Sequence, residues 1–132
     1  MTTATPNPFL AVHTEQTAQA SVVRVAGELD LATAPQLRDA LAGLSRPPAL
    51  VVLDLERLTF ADSTGLREML VEHRRAARGG YAFVIAAASA PLRRLFELTA
   101  LDMTLVLVDD VEAAIRDHTE RLAGAARPEP GA

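Results

Sequence analysis

Residues 50–55, Leu-Val-Val-Leu-Asp-Leu, form a short and nearly unbroken apolar run. Such a run is typical of a strand that is covered on both faces, as in a parallel sheet. Apolar residues then recur at helical spacing, at Leu66, Met69, Leu70 and Ala77. The charged residues of this segment are expected on the other helix faces: Arg67, Glu68, Glu72, Arg74, Arg75 and Arg78. A buried strand followed directly by an amphipathic helix predicts an α/β fold.

The turn between this strand and this helix, within residues 59–70, is the stretch in which we expect the function to lie. Asp62, Ser63 and Thr64 fall at the predicted helix start. Short oxygen-bearing side chains at that position accept the unpaired backbone N–H groups of the first turn. An Asp-Ser-Thr-Gly turn taken alone indicates a helix cap more often than a functional site, so the rest of the chain must decide between them.

The first part of the chain predicts a hairpin and a helix. We expect strands at residues 9–13 and 21–26, joined by a polar connection at 14–19. Thr33 and Gln36 have the spacing of a capping box, which predicts the start of the first helix. That helix has an apolar stripe, and two prolines end it: Leu37, Ala40, Leu41 and Leu44, then Pro47 and Pro48.

The second half of the chain alternates strands and helices. Glycines at 79 and 80 end the second helix, residues 81–88 and 104–108 are apolar strands, and helices begin near Ser89 and Asp109. The inward faces of these two helices are expected to be Leu92, Leu95 and Phe96, then Val111, Ala114, Ile115, His118 and Leu122. The order ββαβαβαβα predicts a mixed, mostly parallel sheet with helices against it. We expect one domain at residues 9–123, with flexible tails at 1–8 and 124–132.

Composition argues against several classes of protein. The 132 residues include no cysteine, which excludes thiol nucleophiles and disulfides and fits a reducing cytoplasm. A net charge of -4 with 4% aromatic residues argues against a nucleic-acid partner. The first residues lack the pattern of a signal peptide, and no apolar run approaches the ~20 residues that span a bilayer. We therefore expect a cytoplasmic protein without a nucleic-acid or membrane partner.

A serine at a strand-to-helix turn also occurs in hydrolases, where it is the nucleophile. That motif needs a glycine two residues before the serine, and Ala61 stands there. The histidines, His13, His73 and His118, fall in a strand or on helices and not in a loop suited to a triad. Zinc-site spacing and glycine-rich phosphate loops are missing too. We expect no catalytic residue, no metal and no cofactor. Whether Asp30 and Asp62 form a carboxylate pair stays open.

Two segments, in this order, carry a family resemblance. Residues 27–35, Gly-Glu-Leu-Asp-Leu-Ala-Thr-Ala-Pro, precede the buried strand, and residues 62–66, Asp-Ser-Thr-Gly-Leu, follow it. Together they closely resemble the bacterial anti-sigma factor antagonists, the single-domain members of the STAS family. Residues 91–101 also look like the third helix of that family. The resemblance covers about residues 9–120 and implies the STAS-type fold.

The resemblance implies a binding switch and not an enzyme. In such families the unphosphorylated antagonist binds an anti-sigma factor serine kinase of the histidine-kinase-like ATPase fold, and this frees a sigma factor. The kinase phosphorylates the serine after the motif aspartate, here Ser63 and less readily Thr64, and a metal-dependent serine phosphatase reverses the reaction. The implied partner-binding residues are Asp30, Asp62, Ser63, Thr64, Gly65, Leu66 and Arg67.

Two points remain open after the resemblance. Arg67 and Glu68 stand where the family often has a small residue, and they either alter the choice of kinase or pair with a phosphate. The chain could instead be a STAS scaffold subunit that is never phosphorylated, in a lipid-transport or stress-signalling complex. For the switch, a phosphate on Ser63 would meet the helix dipole and free N–H groups. We expect a monomer or a weak dimer.

Overall fold

A computed structural model of the protein describes residues 7–44 and 49–126. In this part of the chain one sheet has the strand order β1-β2-β3-β4-β5. The strands are β1 (Leu10–Gln16), β2 (Ser21–Leu29), β3 (Leu50–Ala61), β4 (Ala82–Ala86) and β5 (Val106–Val108). The helices are α1 (Ala34–Ala42), α2 (Ser63–Gly79), α3 (Ala90–Leu98) and α4 (Val111–Ala126), and a 3-10 turn covers Leu101–Met103. β1 is antiparallel to β2 and the other pairs are parallel, which confirms the predicted fold class and element order.

Helices cover the two faces of the sheet unequally. One face carries the larger core, into which three helices project Leu37 and Leu41 of α1, Leu66 and Met69 of α2, and Leu92 and Phe96 of α3. On the other face, α4 packs its Ala114 over β3, β4 and β5. Farther out on the same face, Val22 of β2 is still buried in the cluster around Ala114, whereas Ala11, His13 and Glu15 of β1 are exposed.

Several strands end at other residues than predicted. β1 runs on to Gln16 because the supposed loop residues Thr14, Glu15 and Gln16 pair with β2, and the turn shrinks to residues 17–20. Their polar side chains are exposed on an outer strand, so polarity here does not indicate a loop. β2 and β3 extend to Leu29 and Ala61, while β4 and β5 are shorter than predicted. Beyond Asp54, β3 pairs with β2 alone, which explains why its apolar pattern fades there.

The predicted capping box at the start of α1 is wrong. Thr33 is the N-cap residue, but its hydroxyl makes no cap bond and instead donates to the Glu28 carbonyl over 2.8 Å. The Gln36 amide donates to the Leu10 carbonyl over 2.9 Å. These two side chains tie α1 to the ends of β2 and β1. The helix ends at Ala42, and the predicted stop at residues 47–48 lies outside the described residues.

The predicted inward face of α2 is partly wrong. Ala76 is buried and Ala77 is exposed, while Glu68 and Glu72, which we expected on the outer faces, are 7% and 1% exposed. Glu68 pairs with Arg38 of α1 over 2.8 Å, so its charge is balanced at the junction of two helices. A sequence pattern that assigns every acid to the surface cannot detect such pairing.

The outer end of α4 also differs from the prediction. Leu122 was assigned to the inward face and is 54% exposed, whereas Ala113 and Ala114 are buried. Packing of α4 against the sheet is confined to its first turns, since the side chains of residues 119–124 are all exposed. The helix continues through Ala126, into the segment predicted as a tail, and residues 127–132 lie outside the described part.

Candidate functional site

The two motifs meet at the edge of the sheet where β2 and β3 end. Leu29 and Ala61 are partners in the parallel register, so Asp30 and Asp62 follow paired residues. The Asp62 N–H donates to the Leu29 carbonyl over 3.1 Å, which fixes the end of one strand to the end of the other. Carboxyl ends of neighbouring parallel strands meet at one sheet edge, and this brings residues 27–35 and 62–66 together.

Asp62 caps α2 and thereby sets the position of Ser63. Its Oδ1 accepts the backbone N–H groups of Thr64 at 2.9 Å and Gly65 at 3.2 Å. Ser63 is the first residue of the helix and is exposed, while Thr64 is half-buried. The serine side chain therefore lies at the open end of the helix, within reach of another protein.

Gly65 permits the close packing of this helix start on β2. A Cβ atom at this position would lie 2.6 Å from Leu29 Cγ and 3.3 Å from the Leu29 carbonyl oxygen. Leu66, the next residue, is 4% exposed and belongs to the larger core. Of the residues expected to bind a partner, Gly65 and Leu66 are thus buried, and they hold the turn in place from beneath.

Asp30 shapes the loop before α1. Its Oδ1 accepts from the backbone N–H groups of Ala32 at 3.0 Å and Thr33 at 3.1 Å. The Thr33 hydroxyl also lies 3.2 Å from this oxygen. Asp30 is half-buried, so part of its carboxylate faces solvent while the rest holds the loop.

Three large apolar side chains at neighbouring strand ends are exposed, and no sequence motif indicated them. Leu31 is 75% exposed, Phe9 64% and Phe60 49%. Phe60 is the register partner of Glu28, whose N–H donates to the Phe9 carbonyl over 2.8 Å. We call Leu31, Phe9 and Phe60 the apolar rim. In the sequence, Leu31 lies within the first motif and Phe60 two residues before the second, whereas Phe9 is far from both and gave no signal.

The charges around Ser63 correct one expectation. A phosphate was expected to meet free N–H groups at the helix start, but Asp62 already accepts those of Thr64 and Gly65, and among the described residues only the Ser63 N–H is left there without an acceptor. Arg67 is exposed and follows Ser63 by four residues, which places both on one helix face. The adjacent Glu68 faces α1 instead, where it pairs with Arg38.

A buried polar cluster lies toward the other end of α2. Glu72 accepts hydrogen bonds from the Tyr81 hydroxyl at 2.7 Å and from Arg75 Nη1 at 2.8 Å. Burial raises the pKa of the Glu72 carboxyl above its ordinary value, although both hydrogen bonds act against this. Burial and the bond to Glu72 raise the pKa of Tyr81 to about 12. These groups link α2 to the residue before β4 and are separate from the serine turn.

Residues 7–44 and 49–126 contain no group of His, Asp and Glu side chains that could hold a metal ion. Within the same ranges, every helix is too short or too polar to cross a bilayer.

The fold and the site define a small α/β domain that presents a serine at the capped start of a helix. A family model described as "Mlab, STAS domain" matches residues 12–109. The chain therefore belongs to the STAS-domain family, which confirms the resemblance noted in the sequence.

Relatives and solved structures agree with this assignment. The chain is 33% identical to the anti-sigma-B factor antagonist of Listeria monocytogenes over 95 residues, 71% of this chain and 82% of that protein. An anti-sigma factor antagonist from Mycobacterium paratuberculosis superimposes with a TM-score of 0.77 at 29% identity, covering 87% of this chain and 99% of that one. The Bacillus cell fate determinant SpoIIAA in its phosphorylated form shares the fold, with a TM-score of 0.61, 24% identity, and 85% and 99% coverage.

Proposed function

We propose that the protein is an anti-sigma factor antagonist whose unphosphorylated form binds an anti-sigma factor serine kinase and so releases a sigma factor. The observation that carries this proposal is the exposure of Ser63 on the first turn of α2, next to the capping Asp62. The relatives named as anti-sigma factor antagonists support the same function. In this role the protein acts in the cytoplasm by binding alone, without catalytic residues, cofactor or metal.

The docking surface in this proposal combines polar and apolar groups. Ser63, Thr64 and Arg67 offer side chains at the start of α2, Asp30 contributes the partly exposed face of its carboxylate, and the apolar rim supplies area to bury. Exposed aromatic side chains are enriched in protein interfaces, and polar side chains add the hydrogen bonds of such a contact. Asp62, Gly65 and Leu66 support this surface from below.

Phosphorylation of Ser63 would oppose docking through charge. A phosphate adds about -1.5 to -2 charge. It would lie beside the Asp62 carboxylate, which already accepts two of the N–H groups at this helix start. The Ser63 N–H, Arg67 and water are left to solvate it. A charge buried without a partner at an interface costs ~2–5 kcal/mol, which corresponds to about 30-fold to several thousand-fold in affinity.

Phosphate mapping tests the proposal directly. The protein is incubated with ATP and each anti-sigma factor serine kinase of its own organism, and the modified residue is identified by mass spectrometry. We expect phosphate on Ser63, unchanged in Thr64→Ala and lost in Ser63→Ala, and we expect a serine phosphatase of the same pathway to remove it. A chain that no kinase labels at Ser63 would contradict the proposal and favour the unphosphorylated scaffold subunit.

A further inference from the structure

β1 is an outer strand with a regular edge that, among the described residues, is covered only at Leu10. All seven of its residues pair with β2 in one unbroken register, without a bulge or an internal proline. Phe9 accepts from the Glu28 N–H and Thr17 donates to the Ala20 carbonyl, so the odd-numbered residues are the ones that hydrogen-bond to β2. In an antiparallel pair this leaves the even-numbered residues with N–H and C=O groups directed outward.

Only some of these outward N–H and C=O groups form hydrogen bonds within the protomer. The Leu10 N–H donates to Asn7 and the Leu10 carbonyl accepts from Gln36. Val12, Thr14 and Gln16 make no such outward bond to the described residues. A row of unpaired backbone groups on a strand of this length is a template for another strand.

The space beside this edge is open. A groove of about 1140 Å³ lies between β1 and α1, lined among others by Val12, Thr14, Pro35 and Ala40. A second cavity continues it past Gln16 to the end of α1. Val12, Ala40 and Leu44 are only half-buried around this groove. A strand added to β1 would enter the groove and cover them.

We propose that the occupant is β1 of a second copy of this chain, antiparallel to the first and centred on Thr14. In this register Thr14 faces Thr14, and Val12 faces Gln16 of the other copy, so each opposed pair exchanges two backbone hydrogen bonds. His13 then faces Glu15 of the second copy, on the exposed outer part of the sheet face that carries α4, and the pair occurs twice by symmetry. Glu15 already pairs with Arg24 of its own protomer over 2.7 Å through Oε2, so its Oε1 is the atom that would accept a hydrogen bond from the His13 imidazole.

Other registers of the same pairing are poorer. Centring on Val12 would require the backbone groups of Leu10, which Asn7 and Gln36 already occupy. Centring on Gln16 would place residues of the 17–20 turn opposite β1. A second copy places Glu15 opposite His13 and His13 opposite Glu15. This match favours a second copy over an unrelated extended peptide as the occupant. At the far side of the sheet, β5 offers an edge of three residues.

The dimer would leave both docking surfaces free. A two-fold axis through Thr14 and normal to the sheet reverses the strand direction in the second copy. The strand ends next to Ser63 then point in opposite directions in the two copies. The proposed dimer does not depend on the proposed function. An experiment that contradicts one of these two proposals therefore does not contradict the other.

Cysteine cross-linking tests the register. The chain has no cysteine, so a single Thr14→Cys substitution introduces one reactive thiol per protomer. Opposed residues of a hydrogen-bonded antiparallel pair have Cα atoms about 5.5 Å apart, within the range of a disulfide. We expect Thr14→Cys to form a covalent dimer under mild oxidation at least about tenfold faster than Thr104→Cys, an exposed control near the opposite sheet edge. Equal rates for the two variants would overturn the proposal.

Sedimentation equilibrium tests the dimer without a cross-link. The unmodified protein should dimerise reversibly at micromolar to millimolar concentration, since an interface this small is weak. Thr14→Pro removes an outward N–H that does not hydrogen-bond to β2. It should weaken the dimer by about tenfold or more, and the melting temperature of the variant checks that it still folds. His13→Glu should weaken it, and the swap His13→Glu with Glu15→His should restore it. A protein that stays monomeric up to about 1 mM would contradict the proposal.

Discussion

Asp62 both starts a helix and sets the charge beside Ser63, and two substitutions separate these roles. Its Oδ1 accepts two backbone N–H groups of α2. Asp62→Ala should lower the free energy of unfolding by ~0.5–2 kcal/mol, because the cap is lost. Asp62→Asn keeps an accepting oxygen and should cost much less. Urea unfolding measures both. An equal loss in the two variants would show that charge, and not capping, is the source of stability.

Glu72 makes a pH-dependent contribution that can be measured. Because the pKa of its carboxyl is raised from 4.5 in the folded protein, the folded state holds this proton more tightly than the unfolded state. Stability from this group is therefore complete below about pH 4.5 and is lost as the pH rises through the raised pKa.

In Glu72→Gln this component of the pH dependence should disappear. The free energy of unfolding of the variant, relative to the unmodified protein, should rise between pH 4 and pH 7. Urea unfolding at several pH values gives the difference. Glu97→Gln, on the exposed surface of α3, is the control for removal of one charge. If the free energies of unfolding of Glu72→Gln and the unmodified protein change with pH in parallel, burial does not disfavour the Glu72 charge.

The start of α2 depends on the absence of a side chain at Gly65. A Cβ atom there would lie 2.6 Å from Leu29 Cγ, at the end of β2. Gly65→Ala should therefore destabilise the protein by ~1–3 kcal/mol, since one methyl group would push α2 away from the sheet. Differential scanning calorimetry of the purified variant measures the loss.

Gly124→Ala is the matched control for this substitution. Gly124 lies on α4, and nothing within 4 Å would meet its Cβ atom. Alanine should be neutral there, or stabilise by up to ~1 kcal/mol through helix propensity. If Gly65→Ala is equally harmless, close packing of α2 on β2 is not what requires glycine.

Elements with a strong local signal were predictable, and those that depend on distant partners were not. The apolar run at 50–55 lies in β3, and the helix predicted to begin near Ser89 begins at Ala90, where the Leu92 N–H donates to the Ser89 hydroxyl. The polar half of β1 was assigned to a loop because its exposed side chains hide its pairing with β2. Glu68 and Glu72 were placed outside because their partners, Arg38 and Tyr81, lie outside α2, 30 and 9 residues away in the sequence.

At the level of the whole molecule, function depends on strand order. The motifs at 27–35 and 62–66 are separated in sequence, and they meet because β2 and β3 are parallel neighbours. The sequence alone predicted the exposed serine at a helix start and the family to which the chain belongs. It left open whether Asp30 and Asp62 share one edge, and it did not identify the apolar rim, since exposure of Leu31 and Phe60 depends on how the strands end.

The affinity of the protein for its anti-sigma factor serine kinase, before and after phosphorylation of Ser63, is the decisive measurement. Isothermal titration calorimetry with the kinase in the presence of nucleotide should show binding by the unphosphorylated protein and by Ser63→Ala. Phosphorylation should weaken this binding at least about 30-fold, because the new charge would be buried at the interface. Equal affinities of the phosphorylated and unphosphorylated forms would contradict the account.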